Sequence, residues 1–253
     1  MAELRLHLGV HKTGTTFLQR WLDRSQFIAG TRWVNEIEAR QELTPNTAPP
    51  AWLDGDEDVV LSDENLLSFF QNFRNFSRPT ERLSCLALEN TSIFLGLRNY
   101  ADFFASRWVQ HVKRNRYRPF PITEPLSRRW PDLLRELAEM FPNSPITVWD
   151  YAHYAGNEGN IAQLISGNRI AEFGVRPHPT INQRLSESAI LALSKLRNPP
   201  QGDAFRAFFA KHKITPSNPR FEPWTAELRT PFDAAYQQDW AEIAKYAVIW
   251  TPS

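Results

Sequence analysis

Apolar and polar positions alternate at the start of the chain, with Leu4, Leu6 and Leu8 separated by Arg5 and His7 and closed by Val10. A period of two predicts a strand over 4–10. The period then lengthens: Phe17, Leu18, Trp21 and Leu22 recur at helical spacing, so a helix begins near Thr15. Apolar runs at 58–62 (DVVLS), 92–97 (SIFLGL) and 145–149 read as further strands, and a weaker one lies near 32–35. Helical patterns separate them; LLRELAEMF (133–141) is amphipathic, and Pro131 suits a first turn. The alternation predicts an α/β chain, a three-layer fold around a central parallel sheet of about four or five strands. The proline-rich stretch 44–58 reads as a loop. After about Pro177 the pattern turns helical, at 185–196, 204–213 and 231–246, with Pro216, Pro219 and Pro223 punctuating the join. The expected organisation is one domain over 1–253, with an α/β core over 1–180 and a helical C-terminal extension over 181–253.

The chemistry concentrates where strands end. Gly9 and Gly14 are separated by four residues and followed by Thr15 and Thr16, the spacing of a phosphate-binding turn. Glycine permits the backbone conformations such a turn needs. The first amides of the following helix lack intrahelical partners and carry the positive end of its dipole, which makes an anion site. Lys12 adds a full charge, and Thr13, Thr15 and Thr16 add hydroxyls. A nucleoside triphosphatase places its lysine where Thr15 stands; here the lysine comes three residues earlier. That displacement argues for a different activated nucleotide. The plainer reading is a strand, turn and capped helix with no ligand.

Arg98 falls at the carboxyl end of the 92–97 run, the edge where open α/β sheets bind ligands. Tyr100, Phe103, Phe104 and Trp108 mark a helix carrying Ser106, eight residues after the arginine. A guanidinium fork and a hydroxyl suit a terminal phosphate; alternatively, Arg98 pairs with Asp102. Asp63 and Glu64 follow the 58–62 run, before a helix suggested by Leu66, Leu67, Phe69 and Phe70. A carboxylate there suits general-base work, although acids in a first helical turn also answer the dipole.

Together, HKTGTTFLQ (11–19) and RNYADFFAS (98–106) resemble the 5′-phosphosulfate loop and 3′-phosphate motif of sulfotransferases that use 3′-phosphoadenosine 5′-phosphosulfate (PAPS). The likeness is to the bacterial carbohydrate or lipid type, with a P-loop-like fold. The resemblance implies that Lys12 contacts the 5′-phosphate or bridging oxygen and that Thr13, Gly14, Thr15 and Thr16 wrap the phosphate. It implies that Arg98 and Ser106 hold the 3′-phosphate and that Phe17 takes the position that stacks on adenine. The glycine-rich closing loop of many cytosolic members is not evident, and Arg184 is its candidate substitute. Some members use Glu after a Ser-x-Glu segment as the base and others use His, so Glu64 ranks first, Asp63 second and His11 third. The reaction implied is sulfuryl transfer to a hydroxyl, or less readily an amine, of a glycan, lipid or small metabolite. No metal is required by that scheme. VVLSDE also resembles the magnesium-binding strand of P-loop kinases, which makes a kinase the rival; a non-catalytic nucleotide binder is a third reading.

Composition narrows the rest. With a formal net charge of +1 the chain makes no overall case for nucleic acid or anionic membrane. No apolar run approaches a membrane span, and the first strand begins at the amino terminus, so a cytoplasmic location is expected. Cys85 is the one cysteine, which excludes an intrachain disulfide. The histidines 111, 153, 178 and 212 show no metal-ligand spacing. The basic run KRNRYRP (113–119) reads as a solvated face, with binding of an acidic acceptor as the alternative.

Overall fold

The computed structural model describes residues 2–43, 49–67, 79–86, 88–121, 126, 128–178 and 185–252. In chain order the elements are β1 (Leu4–Gly9), α1 (Thr15–Leu22), β2 (Gln26–Phe27), β3 (Thr31–Val34) and α2 (Glu36–Glu42). Next come β4 (Asp58–Ser62), β5 (Thr91–Leu97), α3 (Tyr100–Arg114), α4 (Trp130–Met140) and β6 (Ile146–Asp150). Then follow α5 (Glu158–Ser166), β7 (Ile170–Glu172), α6 (Glu187–Ser194), α7 (Gly202–Lys211), α8 (Ala226–Ile243) and β8 (Val248–Trp250). Short 3₁₀ turns occupy Ala51–Leu53, Glu64–Leu67, Glu81–Leu86 and Tyr151–His153.

Six strands form one sheet in the order β3-β4-β1-β5-β6-β8, and every pair is parallel. Strands β2 and β7 pair separately and antiparallel. Alternation along the strands divides the core between the two faces. Leu6, Leu8, Leu61, Ile93, Leu95 and Val148 pack with Phe103, Leu133, Leu137 and Tyr236 from α3, α4 and α8. On the other face Val60, Phe94 and Trp149 pack with Leu18 and Leu22 of α1 and Ile161 and Ile165 of α5. Helices therefore cover both faces, as a parallel sheet requires.

The sheet is wider than expected, with six strands rather than four or five. The additional edge strand is β8, whose Thr147↔Val248 and Trp149↔Trp250 register places it beside β6. The C-terminal segment is thus not purely helical: it returns to the sheet. Helix α8 starts at Ala226 after the Thr225 cap, five residues before the expected start, and carries Pro231 inside it. Of the helix expected after Glu64, only the turn through Leu67 lies within the described residues; Phe69 and Phe70 lie outside them, as does Arg184.

Strand β1 has β4 on one side and β5 on the other, and the chain visits the β4 side first before crossing to β5. That reversal is a topological switch point, where a crevice opens at the carboxyl ends of the strands. Both glycine-flanked Lys12 and strand-end Arg98 sit there. The junction after β5 is held by the tail and by the start of α4. Tyr236 donates its hydroxyl to the Leu97 carbonyl at 3.3 Å, and Asn99 donates to Asp233 at 2.7 Å. Trp224 Nε1 donates to the Ala101 carbonyl at 2.9 Å and Trp130 Nε1 to the Arg98 carbonyl at 2.8 Å.

Candidate functional site

The loop from β1 to α1 has the conformation its glycines foretell. Gly9 and Gly14 lie at φ 77 and 85, and a Cβ at Gly9 would come within 2.6 Å of the Thr15 hydroxyl and 2.9 Å of Glu64 Cβ. A Cβ at Gly14 would strike the Tyr154 ring at 2.4 Å. Lys12 itself is left-handed, at φ 72. A non-glycine residue in that region costs about 1–2 kcal/mol, and such strain gathers at functional sites. Gly14 serves as the N-cap of α1 without any side-chain cap, so no hydroxyl or carboxylate occupies the start of the helix. Thr15 is buried with its hydroxyl unpartnered. Thr16 lies on the cleft wall. Thr13 differs from expectation: its hydroxyl points inward and donates to the Val10 carbonyl at 2.5 Å, leaving only its backbone for a ligand.

Arg98 reaches across to this loop. Its Nη1 donates to the Lys12 carbonyl at 2.7 Å, its guanidinium lies 4.7 Å from the Tyr151 ring centroid, and its Nε has no partner. The expected alternative, an Arg98–Asp102 pair, does not form. Asp102 instead accepts from Arg229 at 3.1 and 3.4 Å, with Arg220 at 3.8 Å. Arg98 and Ser106 line one narrow cavity with Lys12, Gln110, Lys113 and Arg220. Its volume is about 30 Å³. Lys12 Nζ presently donates to Gln110 at 3.1 Å. Burial, with Lys113, Arg98 and Arg114 nearby, pushes Lys12 down to about 8. Burial likewise lowers Lys113 to about 8, beneath the Phe209 ring at 5.8 Å. Lys113 is half-buried, while Arg114, Asn115, Arg116, Arg118 and Pro119 are exposed, so the solvated reading of 113–119 holds for most of the run.

A larger cleft of about 370 Å³ shares Lys12 and Gln110 with the first cavity. Glu64, His11, Thr16 and Gln19 line it, together with Arg20, Arg40 and Arg114. Glu64 accepts from Gln19 at 2.9 Å, and burial raises its carboxyl above the usual carboxylate range. The other two base candidates are differently engaged. Asp63 is buried and accepts both arms of Arg40, at 2.9 and 2.6 Å, along with the Asn65 amide at 2.9 Å. His11 shares a 3.1 Å hydrogen bond with Asn65 Oδ1, and burial holds its imidazole at about 3. Asn65 also donates to Asp63 at 3.2 Å, so its Oδ1 accepts and His11 donates from Nε2. The oxygens of Asp63 are thus already engaged, and an imidazole as weakly basic as that of His11 is a poor proton acceptor. Of the three, Glu64 and His11 line the cleft, and Asp63 does not.

Phe17 lines neither cavity. It packs edge-on to Trp21 at 5.8 Å, with the Arg176 guanidinium 5.8 Å from its ring. Arg20, Arg40, Gln110, Lys113 and Arg220 join the site without having been singled out as ligands. The basic run hinted at Lys113, but Arg220 follows a proline-punctuated join and reaches the cavity only through the Ser186↔Arg220 bridge. Among the described residues no helix is long and apolar enough to cross a membrane, and no cluster of metal-ligating side chains occurs.

No model of a known protein family matches the chain, and no characterised protein matches its sequence.

Proposed function

We propose that this chain is a P-loop-like sulfotransferase that moves a sulfuryl group from PAPS to an acceptor hydroxyl. The observation that carries this reading is the meeting of the two cavities at Lys12. One side offers Arg98, Ser106 and Lys113 to a terminal phosphate; the other opens on Glu64. A nucleotide carrying phosphates at both ends needs such a pair of cationic seats, whereas ATP has no second one to fill.

In this scheme the loop amides and Lys12 hold the 5′-phosphate, and Arg98 and Ser106 hold the 3′-phosphate. The acceptor oxygen attacks sulfur, the bond from sulfur to the bridging oxygen breaks, and the leaving phosphate keeps the electron pair. Glu64 takes the acceptor proton. Its raised pKa narrows the gap between a carboxylate and an alcohol, and a late proton transfer closes the remainder. Lys12 meets the charge growing on the leaving oxygen, as in loose phosphoryl transfer. No step calls for a metal ion.

The kinase reading would make the acidic pair Asp63 and Glu64 a magnesium site; of the two, Asp63 has its oxygens engaged by Arg40 and Asn65. Calorimetric titration with 3′-phosphoadenosine 5′-phosphate, ADP and ATP tests the proposal. Preference for the 3′-phosphorylated nucleotide by tenfold or more supports it. Preference for ATP with strict magnesium dependence overturns it.

A further inference from the structure

Asp63 and Glu64 are neighbours in the chain, yet their carboxylates meet different partners. Asp63 accepts both arms of Arg40, which carries a full positive charge. Glu64 accepts from the neutral side-chain amide of Gln19, at 2.9 Å on Oε2. The same Nε2 donates to the Ser62 carbonyl at 3.0 Å. A backbone carbonyl can only accept, so the atom facing it is the nitrogen, and the main chain fixes which way the amide points. Both of its hydrogens are then in use.

The frame behind this contact belongs to the sheet. Ser62 stands in register with His7 across β4 and β1, and His7 Nδ1 and Ser62 Oγ share a 2.8 Å hydrogen bond. Ser62 and Gln19 are both buried, and Gln19 also lines the cleft beside Glu64. Glu64 itself sits in a short 3₁₀ turn just beyond β4. Its carboxylate is therefore tied to the β4 backbone through the side chain of Gln19.

A neutral donor has a chemical consequence here. Burial disfavours a carboxylate with no donor, and a protonated carboxyl cannot act as a base. A cation at the same distance would keep it ionised but weaken its hold on an incoming proton. Burial raises the Glu64 carboxyl most; its own backbone amide, Gln19 and Arg40 pull it down, and Asp63 pushes it up. His11 and Lys12 face the same cleft from the loop, Arg20 from α1, Glu36 from α2 and Arg114 from α3.

We propose that Gln19 is the positioning residue of the base: its amide orients the Glu64 carboxylate from the β4 backbone and leaves it able to take a proton. This rests on the sulfotransfer reading, which makes Glu64 the base, and deepens it. The step is the one already given: the acceptor oxygen bonds to sulfur, the bond to the bridging oxygen breaks with its electron pair on the bisphosphate, and the acceptor proton passes to Glu64. Gln19 takes no part in the bond changes.

The test uses the full chain with 3′-phosphoadenosine 5′-phosphate bound. Gln19→Met keeps the length of the side chain without a donor, and Gln19→Lys supplies a cation. The Glu64 carboxyl is followed across pH by its carbon-13 resonance, assigned by its loss in Glu64→Gln. We expect its titration to move upward by about one pH unit in Gln19→Met and downward in Gln19→Lys. A residue with a merely structural role would not shift it in opposite directions. Release of sulfate from labelled PAPS, with water as the attacking hydroxyl, should slow about tenfold or more in Gln19→Met while affinity for the bisphosphate stays within about twofold. Should both variants fail to fold, the unaltered protein still decides. The proton resonances of a glutamine side-chain amide should follow the titration of Glu64 and lose that dependence in Glu64→Gln. Absence of such an amide overturns the inference, as does an unmoved Glu64 titration or an unchanged rate in Gln19→Met. If the bisphosphate does not bind, or Glu64→Gln releases sulfate as fast as the unaltered chain, it is the sulfotransfer reading that falls.

Discussion

Arg98 Nη1 donates to the main-chain carbonyl of Lys12 at 2.7 Å, across 86 residues of sequence. The two motifs are thus in direct contact, one at the end of β5 and the other beyond the end of β1. Neighbouring parallel strands bring them together, and a single extended nucleotide is short enough to touch both.

The contact separates two kinds of loss. On the proposed scheme Lys12→Ala should lower kcat about a hundredfold or more, because its charge would meet the leaving oxygen. Arg98→Ala should mainly weaken binding of 3′-phosphoadenosine 5′-phosphate, by roughly a hundredfold, with a smaller effect on kcat. Since Arg98 also braces the Lys12 loop, the double variant should lose less than the product of the two. Steady-state kinetics beside calorimetry decides the matter; small, equal effects from both substitutions would remove these roles.

Affinity for the bisphosphate should fall as pH rises above about 8. Lys12 and Lys113 both sit near 8 in the free protein, below their ordinary 10.5. An anion favours their charged forms and raises both pKa values, so binding between pH 8 and 9.5 takes up protons. The same shifts bear on stability. The folded chain holds these protons less tightly than the unfolded chain, so each lysine weakens the fold fully below pH 8, and that cost fades as pH rises towards 10.5. Titrations in buffers of differing ionisation enthalpy read the proton uptake directly, and Lys12→Arg should reduce the pH dependence.

Glu64→Gln should abolish transfer while preserving nucleotide binding. It should also make the fold slightly more stable near neutral pH, by about 1 kcal/mol. The sign follows from burial: a carboxyl raised in the folded state favours the fold at low pH and loses that advantage as pH climbs through the raised value. The amide introduced by the substitution is neutral throughout, and its oxygen can still accept from Gln19. Chemical denaturation of both forms at pH 5 and 8 should show the gap widening at the higher pH; a destabilised variant would contradict the account.

Gly14→Ala and Gly30→Ala separate backbone strain from collision. Both glycines have positive φ, 85 and 77, but only Gly14 faces an obstacle, the Tyr154 ring. Gly30→Ala should cost about 1 kcal/mol. Gly14→Ala should cost about 3 kcal/mol or more and weaken nucleotide binding as the loop shifts. Similar melting temperatures for the two variants would show that the loop yields easily.

Much of this was legible before any fold was seen. The 58–62 strand and the helix start at Thr15 match β4 and α1, because alternation and helical spacing each switch sharply there. Strand β8 escaped because three residues, VIW, cannot establish a period, and its partner β6 lies about a hundred residues earlier. The early start of α8 was hidden by Pro231, which reads as a first-turn residue but is tolerated one turn further in. At the site, spacing located the loop, Arg98 and Ser106. It did not reveal that the Thr13 hydroxyl turns inward, that Lys113 is drawn under Phe209, or that Arg220 arrives from the tail. Those outcomes depend on which side chains meet across the sheet, and local pattern carries no record of them.

The ties from Tyr236, Asp233 and Trp224 to the junction after β5 set an order of assembly. During synthesis, Arg98 emerges long before the segment that braces its backbone. The cavity lined by Arg98 and Ser106 is therefore among the last parts to mature, and a chain cut short near residue 220 should not form it. Presence of the tail becomes a condition for that cavity.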